Sequence, residues 1–212
     1  MPELPSLVIV GAGGLGRGVA ALVEALNSPS PSWNLTGFVD DDASLRDQSV
    51  MGYPVHGGVE WLSQRENLFF SIAIGDGDAR QQIAGQLSQS LIQPACLLHP
   101  STSPHRTSEI KSGTIARKGV ATAVDCRIGP HTVVNMNCTI GHDSTLEAFV
   151  TLHPGVHISG SVHLGTGVTV GSGSVVLPNT RIGSQATIGA GAVVTEDLPP
   201  DCTAVGRPAH PQ

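Results

Sequence analysis

Within NCTIGHDSTL, residues 137–146, a histidine and an aspartate stand side by side as His142 and Asp143. The pair suits acid–base chemistry. An imidazole, with an ordinary pKa of about 6.5, can take the proton of an attacking amine or hydroxyl, and a neighbouring carboxylate can fix its tautomer and stabilise the imidazolium. Taken alone, the pair is equally what a solvated turn would carry.

A second constellation lies near the start. Gly11, Gly13 and Gly16 in GAGGLG match the GxGxxG pattern, with the apolar run LVIV (7–10) before it and the helix-forming RGVAALVEAL (17–26) after it. Such glycines let a backbone turn tightly against a phosphate at a helix N-terminus. Asp40 follows at about the distance expected of a ribose-binding acid. The motif leaves open whether the nucleotide is NAD or another, and a purely structural tight turn would use the same glycines.

The elements that position these residues differ in the two halves. In the C-terminal half, stepping by six from Ile128 meets Val134, Ile140, Leu146, Leu152, Ile158, Leu164, Val170, Val176, Ile182, Ile188 and Val194, all aliphatic. Two places before each stands a small or β-branched residue, from Cys126 and Thr132 through Val156 and Val162 to Ala192. Residues two apart share one side of a strand, so each hexad turns one small and one larger group inward. A period of six does not fit a helix. Repeats of this kind stack into a β-helix with an aliphatic column inside. The glycine that often follows the aliphatic residue, as at Gly129 and Gly141, is read as relieving the Cβ penalty of a turn. Val120, Thr114 and Ile110 extend the repeat weakly, so the solenoid is expected to begin between about residues 101 and 110.

The first hundred residues alternate strands and helices, with LTGFVDDD (35–42) and FFSIAIGDGDAR (69–80) running into QQIAGQLSQSL (81–91). That order implies a parallel sheet covered by helices. The expected organisation is an α/β Rossmann-like domain over 1–100 and a β-helix domain over 101–212, with HPSTSPHRTS (99–108) as the passage between them.

Composition removes several classes of function. The 212 residues carry a formal charge of −6 with no basic run, which argues against a nucleic-acid partner. No apolar stretch reaches the ~20 residues of a membrane span, and the opening MPELPSLVIVG lacks a basic leader, so a soluble, cytoplasmic protein is expected. Cys96, Cys126, Cys138 and Cys202 show no metal spacing and read as idle or buried thiols. His131, His157 and His163 read as surface residues, and no metal site is expected.

The carriers VIVGAGGLGR, GFVDDD, AIGDGDAR, NCTIGHDSTL and IGAGAVVTEDLPPDCTAVGRPAH together resemble the NeuD/PglD-type sugar acetyltransferases, over essentially the whole chain. The resemblance implies a left-handed β-helix of hexapeptide repeats, a homotrimer, and acetyl-CoA as cosubstrate in clefts between neighbouring β-helices. It implies a nucleotide-linked amino sugar as acceptor, held by Gly11, Gly13, Gly14, Asp40, Asp41 and Gly75, with NAD not required. By the same resemblance His142 is the general base, Asp143 its partner, and Gly160 the residue whose N–H holds the thioester carbonyl. Gly189, Gly191 and Arg207 fall on the acetyl-CoA side. A free sialic acid hydroxyl as acceptor, and a non-catalytic sugar-nucleotide-binding partner in polysaccharide synthesis, are the alternative readings.

The sequence also departs from the family. The second histidine often found nine residues after the base is Thr151 here, with His153 close by as a candidate substrate contact. The lysine usual after Pro-Ala is His210, and Leu15 stands where the glycine loop commonly has a histidine.

Overall fold

The structure of the protein is a computed structural model that describes residues 3–212; Met1 and Pro2, part of the opening read for a leader, lie outside the described residues. The chain divides into two compact units, the first ending at Leu97 and the second running from Leu98 to Gln212.

The first unit is a parallel sheet with strands in the order Asn34–Val39, Ser6–Val10, Glu66–Ile72 and Leu91–Pro94. Its central strand is apolar along its length because both faces are covered: Leu7, Val8 and Ile9 are wholly buried. The helix Gly14–Leu26 buries Gly16, Val19, Ala20, Leu22 and Val23, the spacing of one helical face. A second helix, Gly77–Leu87, is capped by Asp76, whose carboxylate accepts from the Ala79 N–H at 3.0 Å. This helix starts four residues before the run 81–91 expected from sequence, and Leu91 opens a strand instead.

The second unit is a parallel β-helix of three faces. From Glu109–Ile110 to Val175–Val176 each strand pairs in parallel with the strand eighteen residues on, as in Ile128 with Leu146, Leu146 with Leu164 and Leu164 with Ile182. All twelve aliphatic hexad positions from Ile128 to Val194 are buried, and so are the twelve positions two residues before them. This is the left-handed β-helix of hexapeptide repeats that the periodicity and the resemblance led us to expect. Each buried aliphatic side chain contributes on the order of 1.5–3 kcal/mol, so the column rather than any large ring holds the coil together.

The small inward residue has a second task. Thr132 donates to Glu147 O at 3.1 Å, Ser144 to Ser159 O at 2.9 Å and Ser174 to Gly189 O at 2.8 Å, each fifteen residues on. A hydroxyl is therefore tolerated in the column because it satisfies a corner carbonyl of the next coil.

Two expectations change. The sheet of the third face begins with the strand Leu97–Leu98, earlier than residue 101, and the segment 99–108 forms part of the coil rather than a free passage. Its hydroxyls are built into the stack, with Asp125 N–H donating to Thr107 Oγ1 at 3.2 Å and Cys126 N–H to Ser108 Oγ at 3.1 Å. The glycine that often follows the aliphatic residue is also there for another reason: a Cβ on Gly141 would stand 2.4 Å from Ser159 C and one on Gly129 2.5 Å from Glu147 C. Neither has a positive φ. Close approach of the next coil, not a left-handed turn, excludes a side chain there.

Candidate active site

The left-handed conformation falls two residues after those glycines. Asp125, His131, Asn137, Asp143, Phe149 and Ser161 all have positive φ, with glycine at the equivalent positions 113, 119, 155, 167, 173 and 191. Asp143 (φ 58°) thus stands where the coil turns its corner, and aspartate tolerates that conformation better than most residues. The turn sets its carboxylate beside the preceding ring: His142 Nδ1 lies 2.7 Å from Asp143 Oδ2. A carboxylate accepts at this distance, so Nδ1 is the donor, and in the neutral ring that tautomer leaves the lone pair on Nε2. Both side chains are open, with 62% and 59% of their surface exposed, as an incoming substrate requires.

Gly160 stacks on His142 across the coil repeat. A Cβ added to Gly160 would meet the imidazole at Nε2, Cε1 and Cδ2 within 3.1 Å, so the ring rests against the bare backbone. Ser161 N–H donates to His142 O at 2.7 Å, and Ser144 Oγ both donates to Ser159 O and accepts from Val162 N–H, at 2.9 and 3.2 Å. These bonds pin the two corners to each other. The Gly160 N–H itself has no acceptor among the described residues.

In the first unit, Gly11, Gly13, Gly14, Asp40, Asp41 and Gly75 line one cavity of about 350 Å³. The glycines divide by role. Gly11 (φ 97°) and Gly16 make the turn, since a Cβ on Gly16 would stand 1.8 Å from Gly11 O; Gly13, Gly14 and Gly75 face open space. The two acids are partly committed to the backbone. Asp40 accepts from the Ala12 N–H at 2.7 Å and the Asp42 N–H at 2.9 Å, and Asp41 accepts from the Val59 N–H at 2.9 Å. An adjoining cavity of about 490 Å³ shares Asp40, Asp41 and Val59 and adds Arg46, Glu60 and Gln86.

Sequence reasoning missed what shapes that cavity. Val39, Val59, Ile74 and Ile83 provide its apolar wall. Arg80 is fully buried, and its Nη1 donates to Ile74 O at 2.8 Å and Gly75 O at 2.9 Å, which fixes the Gly75 turn. Burial pulls its guanidinium down to about 10, against the opposing pull of Asp76. The only signal in sequence was an arginine closing the glycine- and aspartate-containing run GDGDAR (75–80).

Gly191 and Arg207 are brought together, with Arg207 Nε donating to Gly191 O at 2.6 Å, and Gly189 lies against Val205. His210 is exposed on the closing hairpin, paired with Val205. His153 is not brought to His142: it follows Thr151–Leu152 on the third face, whereas His142 follows Thr139–Ile140 on another. Thr151 is wholly buried. Of the histidines expected at the surface, His157 is exposed, but His131 is half-buried and stacks on Phe149 at 5.4 Å, and His163 is half-buried with Nε2 3.0 Å from Glu147 Oε1. Among the described residues no group of histidine, cysteine and acid side chains is gathered to hold a metal, and no helix is long and apolar enough to cross a membrane.

Two family models match the chain: the PglD N-terminal domain over residues 6–87 and the bacterial transferase hexapeptide (six repeats) over 161–196. Among solved structures, the acetyltransferase domain of PglB from Neisseria gonorrhoeae FA1090, in complex with acetyl coenzyme A, is 30% identical over 99% of this chain and 100% of that one, with a TM-score of 0.90. A histidine-to-asparagine variant of perosamine N-acetyltransferase from Caulobacter crescentus, in complex with CoA and GDP-perosamine, is 28% identical over 99% and 98%, with a TM-score of 0.89. WeeI from Acinetobacter baumannii AYE is 25% identical over 97% and 99%, with a TM-score of 0.85.

Proposed function

The chain belongs to the NeuD/PglD-type sugar acetyltransferases with hexapeptide repeats, and we propose that it transfers the acetyl group of acetyl-CoA to the amine of a nucleotide-linked sugar, with His142 as general base. The observation that carries this reading is the stack of His142 on Gly160, with Asp143 holding Nδ1 so that Nε2 is free.

The neutral amine attacks the thioester carbonyl. As the N–C bond forms, Nε2 of His142 takes the proton that the nitrogen sheds, and Asp143 stabilises the imidazolium. The C–S bond then breaks, and the leaving thiolate recovers that proton as free CoA. The Gly160 N–H is the donor for the oxygen that becomes negative between these steps, because its hydrogen bond is not committed elsewhere among the described residues. Transfer is direct, with no acyl-enzyme.

The glycine cavity of the first unit is read as the nucleotide site. Open space at Gly13 and Gly14, at the start of the helix Gly14–Leu26, suits a diphosphate, and the adjoining cavity suits a nucleoside. The GDP-perosamine bound by the Caulobacter crescentus relative supports this class of acceptor. Gly189, Gly191 and Arg207 are read as the acetyl-CoA side. They lie at the corner that follows the third face, away from the corner of His142, so a single chain does not unite donor and base. A homotrimer, in which one chain's base meets its neighbour's acetyl-CoA, completes the site.

The test is thiol release from acetyl-CoA with GDP-perosamine, a UDP-linked amino sugar and free sialic acid as acceptors. Release with a nucleotide-linked amino sugar is expected. Release with sialic acid alone, or with none of the three, overturns the assignment.

A further inference from the structure

The cavity of about 490 Å³ that adjoins the glycine loop has a polar lining that the chemistry above leaves unused. Asp40 and Asp41 line both cavities of the first unit, so a nucleotide with its diphosphate at Gly13 and Gly14 passes these acids with its ribose and enters the larger cavity with its base. What the base meets there is set by two short segments. The 3₁₀ turn Ala43–Leu45 is capped by Asp42, whose carboxylate accepts from the Ser44 N–H at 2.9 Å, and it delivers Arg46 to the cavity. The 3₁₀ helix Val59–Gln64 delivers Glu60.

Glu60 stands between two anchored neighbours. Val59 is buried and its N–H donates to Asp41 Oδ1 at 2.9 Å, while Trp61 stacks on His56 with ring centroids 4.4 Å apart and carries the Arg65 guanidinium 4.1 Å over its ring. Gly58 completes the arrangement. A Cβ there would collide with the carboxylates of both Glu60 and Asp41, so bare backbone lets the two acids lie close together at the cavity wall. Neither Glu60 nor Arg46 makes an ion pair or a side-chain hydrogen bond among the described residues, and they do not pair with each other. The Gln86 amide, on the helix Gly77–Leu87, is likewise uncommitted among the described residues. The cavity thus holds an open pair of acceptor oxygens and an open fork of donors.

That combination separates the bases. Guanine alone among the common bases carries two adjacent donors on one edge, N1–H and the 2-amino group, and a carboxylate accepts from both at once. Its O6 and N7 accept from an arginine fork. Uracil presents a single donor, N3–H, between two carbonyl oxygens, so a carboxylate facing it sets its second oxygen against a carbonyl. Adenine and cytosine each place an acceptor beside the amino group. Gln86 can donate or accept and so serves any base. We propose that this cavity selects guanine, with Glu60 accepting from N1–H and the 2-amino group and Arg46 donating to O6 and N7, so that the acceptor is a GDP-linked sugar. The proposal rests on the first unit being the nucleotide site.

The experiment is calorimetric titration of the intact protein with GDP, UDP and IDP, the last being GDP without its 2-amino group. The wild type is expected to bind GDP about 10- to 100-fold more tightly than UDP and about tenfold more tightly than IDP, as charge-assisted contacts are lost. In Glu60→Gln the advantage of GDP over IDP should shrink to about twofold, with UDP affinity within about threefold of wild type. Mere removal of a negative charge would instead tighten all three alike. Arg46→Gln should weaken GDP and IDP by the same factor, since both keep O6 and N7. Both side chains are exposed, and circular dichroism checks that the fold is kept. UDP bound as tightly as GDP by the wild type, or a GDP-to-IDP ratio unchanged in Glu60→Gln, overturns the inference and leaves the nucleotide reading standing. Binding of none of the three, nor of GDP-perosamine, overturns that reading, and this inference falls with it.

Discussion

The imidazole of His142 lies so close to the α-carbon of Gly160 that a Cβ there would stand 2.6 Å from Nε2 and 2.7 Å from Cε1. One missing methyl group thus decides where the His142 ring can sit. Gly160 has no positive φ, so alanine is compatible with its backbone and the whole effect falls on the ring. Gly160→Ala is expected to keep the fold and lower kcat by about 10- to 100-fold, since displacing a catalytic group by ~1 Å costs about that much. Circular dichroism and steady-state kinetics test both halves. Wild-type kcat in this variant would show that the ring position is not used.

Removing the proposed base should do more. His142→Ala is expected to lower kcat by about 10² to 10⁴ while leaving acetyl-CoA affinity nearly unchanged, because proton transfer is lost and donor contacts are not. Asp143→Asn should cost less, on the order of tenfold or below, as an exposed pair is worth at most about 1 kcal/mol. Equal losses in the two variants would point to a collapsed turn instead.

The column of the coil is legible in the sequence because burial and period are properties of single positions: Ile128, Val134 and Ile140 each announce an inward side chain by type and spacing alone. The glycine loop and Asp40 are legible for a similar reason. What the sequence conceals is who faces whom across the coil. The clash that requires Gly141 and the stack of His131 on Phe149 are contacts between residues in neighbouring turns, eighteen apart in sequence. Outward residues of a solenoid have no compositional signature, so His153 could not be assigned to a corner before the fold was in hand.

The glycine loop separates binding from architecture. A methyl group on Gly13 would meet nothing within 4 Å, and its φ is an ordinary −71°, whereas a Cβ on Gly16 would strike Gly11 O. Gly13→Ala is expected to leave thermal stability within about 0.5 kcal/mol of wild type while weakening nucleotide-sugar binding about tenfold or more, by occupying the space a phosphate needs. Gly16→Ala should destabilise the first unit by about 1–3 kcal/mol through overpacking. If Gly13→Ala binds like wild type, the cavity is not the nucleotide site.

Acid should weaken the second unit through Glu147. Its carboxyl is held below the usual carboxylate range, chiefly by the Thr166 hydroxyl, with His163 and the Thr166 N–H adding to this and partial burial opposing it. A carboxyl lowered in the folded state contributes stability above its unfolded pKa, and that contribution is lost as pH falls through the folded value. The urea midpoint should therefore drop between about pH 5 and pH 3, and drop less in Glu147→Gln, which starts lower at pH 7. The side chain is 39% exposed, so the effect is small and best read as a difference between the two proteins. An identical pH dependence in both would remove Glu147 as its source.

The assembly prediction follows from the corners. His142 follows a strand of one face, while Gly189 and Gly191, with Arg207 bonded to Gly191, follow the third, and the coil is closed between them by its own packed column. If Gly189, Gly191 and Arg207 hold the donor and His142 is the base, as proposed, the two meet only when chains pair corner to corner, and a closed ring of three does this for every chain at once. Light scattering at micromolar concentration should give three times the 21.8 kDa chain mass. Specific activity should fall on dilution in proportion to the trimer that remains, whereas a chain carrying a complete site would keep its activity when it dissociates. A monomer at full activity overturns the shared site, and the acetyl-CoA contacts would then have to be sought at the corner of His142 itself, beside Gly160 and Val124.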